Sequence, residues 1–242
     1  MEFGLPHPIM DNYHVSSLLK AVKRFKGCEP RYKLTLSVAN LSHMLAYLNL
    51  SRTSDAQLWS LILACFYGML RISNVTVPSP VNWNPVKSVT RADLQFHKNG
   101  TIIHLHWTKT LQFRERVLQT ALPLLDTEVC PTTALLRFIA LAGNVPSHAP
   151  AWAYIDPRGQ LCIPTQQGIR TRLKALLALS GLSTSDFNSH SLRRSGATHL
   201  FASQVPIETI KTLGDWKSDC VYKYLKPQES QKLHIVNTIF TT

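Results

Sequence analysis

Near its C-terminal end the chain reads SHSLRRSGATHL, Ser189 to Leu200, in which His190 stands three residues before Arg193. Residues three apart are neighbours on a helix, so this spacing puts both side chains near one face of a helix start. A helix N-terminus offers unpaired amides and the positive end of the backbone dipole, which together favour an anionic group. Histidine and arginine at such a place form a clamp suited to phosphate. Taken alone, the same residues also fit a capped helix with an exposed basic turn. They do not stand alone: LGDWKSDCVYKYL, Leu213 to Leu225, follows and carries Trp216, Tyr222 and Tyr224. Upstream, Arg71 comes directly after the apolar run LILACFYGML, as a surface cap or as a charge held beside a cleft, and Lys109 lies in the basic stretch TKTLQFR.

The rest of the chain bounds what these residues can serve. At 242 residues and 45% apolar content, it fits one large domain, or one domain with a short appendage, and can bury a sizeable core. Twenty-six Lys and Arg against fourteen Asp and Glu give a net charge of +12, which suits a polyanion such as nucleic acid or an anionic membrane surface. No run approaches the roughly 18 apolar residues of a spanning helix, and MEFGLPHPIM lacks the layout of a signal peptide. The expectation is an intracellular, soluble protein without membrane association. Cys28, Cys65, Cys130, Cys162 and Cys220 are odd in number, widely spaced and without a C-x-x-C pair, so all five are expected as reduced thiols, with Cys65 a small buried hydrophobe.

Several elements must position the candidate residues. Helices are predicted over Asp11 to Lys26 with Gly27 as the stop, over Ser37 to Asn49, and from Ser54 onward with Leu58, Ile62, Cys65, Phe66, Met69 and Leu70 on one face. The Pro- and Asn-rich segment 78–100 ends in LQFHKNG, whose Asn-Gly pair signals a hairpin. TIIHLHW and ERVLQTALP then read as extended pieces of a small antiparallel sheet, with Lys109 in the turn or strand end between them. Pro131 opens a helix that Gly143 ends, and a loop with Pro146, Pro150 and Pro157 leads to a further helix, Thr165 to Ser180, stopped by Gly181. Ile169, Leu173, Leu176 and Leu177 face the core there, and Arg170, Arg172 and Lys174 form a basic strip on the solvated side. No internal repeat or low-complexity linker appears, so no second full-sized domain is expected.

The order Arg71, Lys109, His190-x-x-Arg193, Trp216 and tyrosine resembles the catalytic domain of the tyrosine recombinase (phage integrase) family, over residues 35 to 226. More narrowly, G-x-W-K-S-D followed by two tyrosines near Y-L is similar to the eukaryotic transposon-encoded members, the Crypton and DIRS-type recombinases. The resemblance implies an α+β, mainly helical fold with a small antiparallel sheet, and a DNA strand-exchange enzyme working through a covalent 3′-phosphotyrosyl link, without metal or nucleotide cofactor. In that reading Arg71 and Arg193 hold the non-bridging oxygens of a phosphodiester. Lys109 protonates the leaving 5′ oxygen as general acid. His190 assists proton transfer from the nucleophile or hydrogen-bonds the phosphate, and Trp216 holds the phosphate and the tyrosine segment in place. Tyr224, eight residues after Trp216, matches the family's nucleophile. Tyr222 would project about 200° away on a helix and serve as packing.

The resemblance also implies double-stranded DNA as partner, a homo-oligomer (dimer or tetramer) on that DNA, and a nuclear location. Two departures stand out. Asn74 occupies the place of the family's usual acidic residue three positions after the first arginine. Residues 1 to 34 resemble at most the trailing helix and linker of the family's N-terminal DNA-clamping domain, so weak DNA binding is expected of the chain alone. Residues 227 to 242, with Leu233, Val236, Ile239 and Phe240 at helical spacing, are expected as a tail helix that docks on a neighbouring protomer or on its own domain. Rival readings are a type IB topoisomerase, which shares the chemistry, and a DNA-binding protein descended from a recombinase and no longer catalytic.

Overall fold

The computed structural model describes residues 13–26, 34–81, 83–108, 111, 116–216, 221–222 and 225. The chain divides into two compact units, Met1–Tyr32 and Lys33–Thr242. In the first, helix α1 spans Tyr13–Lys26 and leaves Tyr13, Leu18, Leu19 and Phe25 exposed. The expected start at Asp11 and stop at Gly27 lie outside the described residues, as does the whole expected tail helix.

The second unit is organised around helix α3, Thr53–Tyr67. Apolar spacing predicts one buried face for it, yet every residue from Ala56 to Phe66 is buried. The reason is that α5 (Pro131–Leu141), α6 (Gln166–Leu179), α7 (Ser189–Ala202) and strand β3 (Leu118–Pro123) all pack on it, leaving no flank to water. Polar groups carried inward with it are paired. The Gln57 amide donates to the Trp152 carbonyl at 2.7 Å, and the Trp152 indole donates to the Ser60 hydroxyl at 3.0 Å. Each such group left unpaired would cost about 1–3 kcal/mol. The helix ends at Tyr67, earlier than the spacing suggests, and the chain turns sharply at Met69, whose φ is 47°.

Other elements follow the sequence more closely. Helix α2 (Val38–Leu45) starts at its Ser37 cap but stops short of Asn49, passing into turns in which the Tyr47 and Leu48 amides bond three residues back. Strands β1 (Leu94–His97), β2 (Gly100–Leu105) and β3 form one antiparallel sheet, with Leu94 opposite Ile103 and Leu105 opposite Leu118. The β1–β2 turn falls on Lys98 and Asn99, one residue before the Asn-Gly pair, because His97 and Gly100 already pair across the sheet. Pro131 opens α5, with the Cys130 sulfur accepting from the Thr133 amide, and Thr165 caps α6. The four leucine and isoleucine residues assigned to the inner face of α6 are all buried.

Arg172 corrects the basic strip. It donates to Gln57 Oε1 at 3.0 Å and to the Ser54 carbonyl, with Asp55 at 3.7 Å, so it ties α6 to the start of α3 and does not face solvent freely. Helical period alone cannot reveal a polar edge on another helix. The short hairpin β4–β5 (Tyr154–Ile155 and Leu161–Cys162), helix α4 (Ile72–Val75) and helix α8 (Ile207–Leu213) were not legible, being two to seven residues long and without a period to detect. Cys65, Cys130 and Cys162 are free thiols, and burial pushes the Cys65 thiol up to about 12. Cys28 and Cys220 lie outside the described residues. Among the described residues no helix is long and apolar enough to cross a membrane.

The approach of α7 to α3 is set by Gly196. A Cβ there would stand 2.0 Å from the Phe66 carbonyl oxygen. Replacing Gly196 with alanine therefore forces the helices apart and is expected to destabilise the protein by about 1–3 kcal/mol. Chemical denaturation of Gly196→Ala against the parent checks this, with a lowered midpoint expected at unchanged m-value.

Candidate active site

The N-terminus of α7 is built by Asn188. Its side-chain oxygen accepts from the amides of His190 (2.9 Å) and Ser191 (3.1 Å), and the Ser191 hydroxyl accepts from the Asn188 amide at 3.0 Å. This cap corrects one expectation: these two amides are already bonded within the chain, so any anion here is met by side chains and not by them.

Those side chains are brought together. Arg193, one turn into α7, is only 5% exposed. Its guanidinium donates to the Met69 carbonyl and, at 2.5 Å, to the Gly214 carbonyl, and it lies 4.0 Å from the centre of the Trp216 ring. A buried guanidinium needs such company, since removing a charge from water without partners is very unfavourable. Stacking on tryptophan adds a cation–π attraction of about 0.5–2 kcal/mol. The two residues that shape these carbonyls are unusual. Met69 (φ 47°) and Asp215 (φ 53°) are two of the three non-glycine residues with positive φ among the described residues. Left-handed backbone on such residues costs of order 1 kcal/mol and tends to mark functional sites.

Arg71 caps α4 from the other side of Met69. Its amide donates to Asn74 Oδ1 at 2.9 Å, with Asn74 itself 9% exposed. Asn74 thus fixes the backbone of Arg71 by accepting one hydrogen bond. His190 is exposed to solvent, and its pKa lies below the ordinary histidine value. Partial desolvation is the first cause, followed by the positive charges of Arg71, Arg170, Arg193 and Arg194. At neutral pH it is therefore a neutral imidazole, able to take up a proton. Arg71, His190, Arg193 and Trp216 form one site on three separate stretches of chain. Lys109 and Tyr224 lie outside the described residues.

Beneath the site is a second small core of Met69, Ala197, Ile210, Trp216, Val221 and Leu225. Val221 and Leu225 bracket the two candidate tyrosines, and the Leu225 amide bonds the Val221 carbonyl at 3.3 Å. Val221 and Leu225 are thus anchored to residues that hold Arg193. Tyr222 is 48% exposed, so it is not a packing residue as the sequence suggested. Gly214 belongs to the same construction, for a Cβ on it would fall 1.8 Å from the Trp216 ring. This explains glycine in G-x-W: the indole lies flat against that backbone.

A mainly helical domain with this three-stranded sheet, and with basic residues gathered from these stretches, has the tyrosine recombinase catalytic-domain fold. The family model of the phage integrase family matches residues 157–230. Among solved structures, the chain is similar to XerA recombinase, with a TM-score of 0.61 at 13% identity over 88% of this chain and 65% of that one. It is similar to XerH site-specific recombinase bound to palindromic difH substrate in a post-cleavage complex (0.58, 14%, 86% and 52%). It is also similar to the Tn1549 transposon integrase in complex with transposon right end DNA (0.58, 14%, 89% and 68%). The chain thus spans between about half and two thirds of the XerA and XerH chains. No curated protein sequence matches it.

Several participants escape sequence reading. Arg170 sits beside His190, although helical period assigns it to a solvated strip. The Met69 and Gly214 carbonyls carry no side-chain signature, and the ion pair of Arg116 with Asp215 spans 99 residues. Only Gly214 left a trace, as the glycine of the G-x-W-K-S-D stretch.

The depressed pKa of His190 has a readout. Its NMR titration midpoint is expected below about 6.5, and Arg71→Gln should raise it by removing one repelling charge. Because the folded value is lower than the unfolded one, His190 withdraws stability as pH falls from the ordinary histidine value toward the folded one, and adds nothing above it.

Proposed function

We propose that the chain is a DNA breaking and rejoining enzyme, a site-specific recombinase acting through a 3′-phosphotyrosyl intermediate. The observation that carries this reading is the convergence of Arg71, His190 and Arg193 over a core that also anchors both ends of the segment holding Tyr224. In the reaction, the Tyr224 oxygen forms a bond to phosphorus and the bond from phosphorus to the 5′ oxygen breaks. Arg71 and Arg193 hold the non-bridging oxygens as charge develops on them. The phenol proton passes to neutral His190, and Lys109 gives a proton to the departing 5′ oxygen. Reversal with a new 5′ hydroxyl rejoins the strand, since the phosphotyrosyl link conserves the energy of the original bond. Trp216 keeps Arg193 and the tyrosine segment in register.

Residues 35–226 form the catalytic part of this proposal, 1–34 correspond to the trailing end of a clamping domain, and 227–242 serve as a docking helix between protomers assembled on double-stranded DNA. The G-x-W-K-S-D stretch supports a place near the Crypton and DIRS-type recombinases, and with it a nuclear site of action. The excess of basic residues suits the DNA partner.

A suicide-substrate experiment tests the reading. The protein is incubated in EDTA with nicked duplexes of randomised flanking sequence, and denaturation-resistant adducts are mapped by mass spectrometry. An adduct on Tyr224 is expected. Tyr224→Phe should abolish it while DNA binding persists, and Tyr222→Phe should leave it largely intact. DNA binding without any adduct refutes the catalytic reading, and loss on Tyr222→Phe alone reverses the assignment of the nucleophile. Lys109→Ala should slow cleavage strongly on an ordinary substrate and much less when sulfur, a better leaving group, replaces the 5′ oxygen. Equal slowing on both removes Lys109 from the general-acid role.

A further inference from the structure

The ion pair between Arg116 and Asp215 has no part in the chemistry above, and its placement gives it one. Asp215 lies between Gly214, whose carbonyl accepts from Arg193, and Trp216, whose ring stacks on Arg193. Its side chain is 5% exposed, and its backbone takes the left-handed value φ 53°. A carboxylate held this far from water requires a counter-charge, and Arg116, itself half exposed at the start of the stretch leading into β3, supplies one directly. Backbone bonds also hold the turn: the Gly214 amide bonds the Ile210 carbonyl at 3.0 Å, the Asp215 amide bonds the Thr212 carbonyl at 3.2 Å, and the Trp216 amide bonds the Lys211 carbonyl at 2.9 Å. Those bonds place the backbone. The side-chain pair resists its relaxation out of the left-handed region.

We propose that Arg116 is a positioning residue for the phosphate-binding platform: through Asp215 it locks the Gly214–Asp215–Trp216 turn, and the locked turn sets the guanidinium of Arg193. The part of this that concerns cleavage rests on the function proposed above. Arg116 touches no reacting atom in this assignment. Its removal loosens Arg193, so the loss falls on stabilisation of charge on the non-bridging oxygens and not on protonation of the leaving group.

Two measurements test this on the full chain. Hydrogen exchange of Arg116→Gln reads the turn directly and needs no activity. The Trp216 amide is expected to exchange about tenfold faster while amides within α3 keep their protection, and Arg116→Lys, which retains the charge, should recover most of it. Unchanged exchange at Trp216 overturns the proposal, and so does equal acceleration across α3, which would mark general destabilisation.

Cleavage by the same variant is then compared with the parent on three scissile groups: the ordinary diester, a methylphosphonate lacking one non-bridging charge, and a 5′-bridging sulfur substrate. A defect of about tenfold is expected on the diester and on the sulfur substrate, shrinking to about twofold or less on the methylphosphonate, which needs less help from Arg193. Any loss of folded protein affects all three alike, so the ratios isolate the chemistry. Equal defects on all three, or relief by sulfur in place of the methylphosphonate, overturn the assignment to Arg193. Absence of cleavage by the parent protein refutes the catalytic reading and leaves the exchange experiment to decide whether Arg116 locks the turn.

Discussion

A guanidinium that is 5% exposed dictates much of what surrounds it. Arg193 cannot give up its water unless other groups take over its donors, and the fold answers with two backbone carbonyls and an aromatic face. Each answer carries its own demand. The Met69 carbonyl reaches Arg193 only because the chain turns left-handed directly after α3, and the Gly214 carbonyl only because a similar turn follows α8. The indole can lie against Arg193 only if the residue two places before it has no side chain. Pull out the arginine, and two strained turns and one glycine lose their reason.

This dependence links the two cores. The larger one encloses α3 on all sides and so fixes where that helix ends. The smaller one begins at that end, with Met69, and runs through Ala197 of α7 and Ile210 of α8 to Trp216, Val221 and Leu225. Because Met69, Ala197 and Ile210 share this cluster with Trp216, Val221 and Leu225, a shift of α7, of α8 or of the turn after α3 is felt at Arg193 and at Val221 and Leu225 together. Packed interiors transmit displacement and do not absorb it, since they leave little void volume to collapse into. Chemistry that needs an arginine and a tyrosine oxygen on the same phosphorus benefits from such a shared footing, because small misplacements cost large factors in rate.

The sequence showed the elements whose signals are local. The longer helices of the second unit emerged from period and caps, the sheet from alternation, and the gathering of His190, Arg193 and Trp216 from short motifs. What stayed hidden is made of contacts between distant stretches. Arg172 reads as solvated until the polar start of α3 is known to lie beside it. The amides at the start of α7 read as available until Asn188, an ordinary cap residue, is seen bonded to two of them. Total burial of α3 could not be told from a one-sided pattern, because the polar residues that break its apolar run, Gln57 and Ser60, are satisfied by Trp152 from almost a hundred residues away. Arg116 and Asp215 each look like surface charges in isolation.

The electrostatics of the site bear on its chemistry in a way that no single residue reveals. His190 is held neutral by desolvation and by four arginine charges, an arrangement that is unfavourable for a proton so long as the site contains no anion. A phosphate entering among those arginines offsets the charges that repel the proton, so the proton affinity of the imidazole rises as the anion binds. A base is most useful when its affinity for the proton increases with the arrival of the group that is to be attacked. In the proposed reaction the cationic cluster that would hold the phosphate also adjusts the histidine, and no separate device is needed to keep that base unprotonated beforehand. On that proposal, substituting any one of the arginines alters both the hold on the anion and the readiness of the base, so their contributions are not additive.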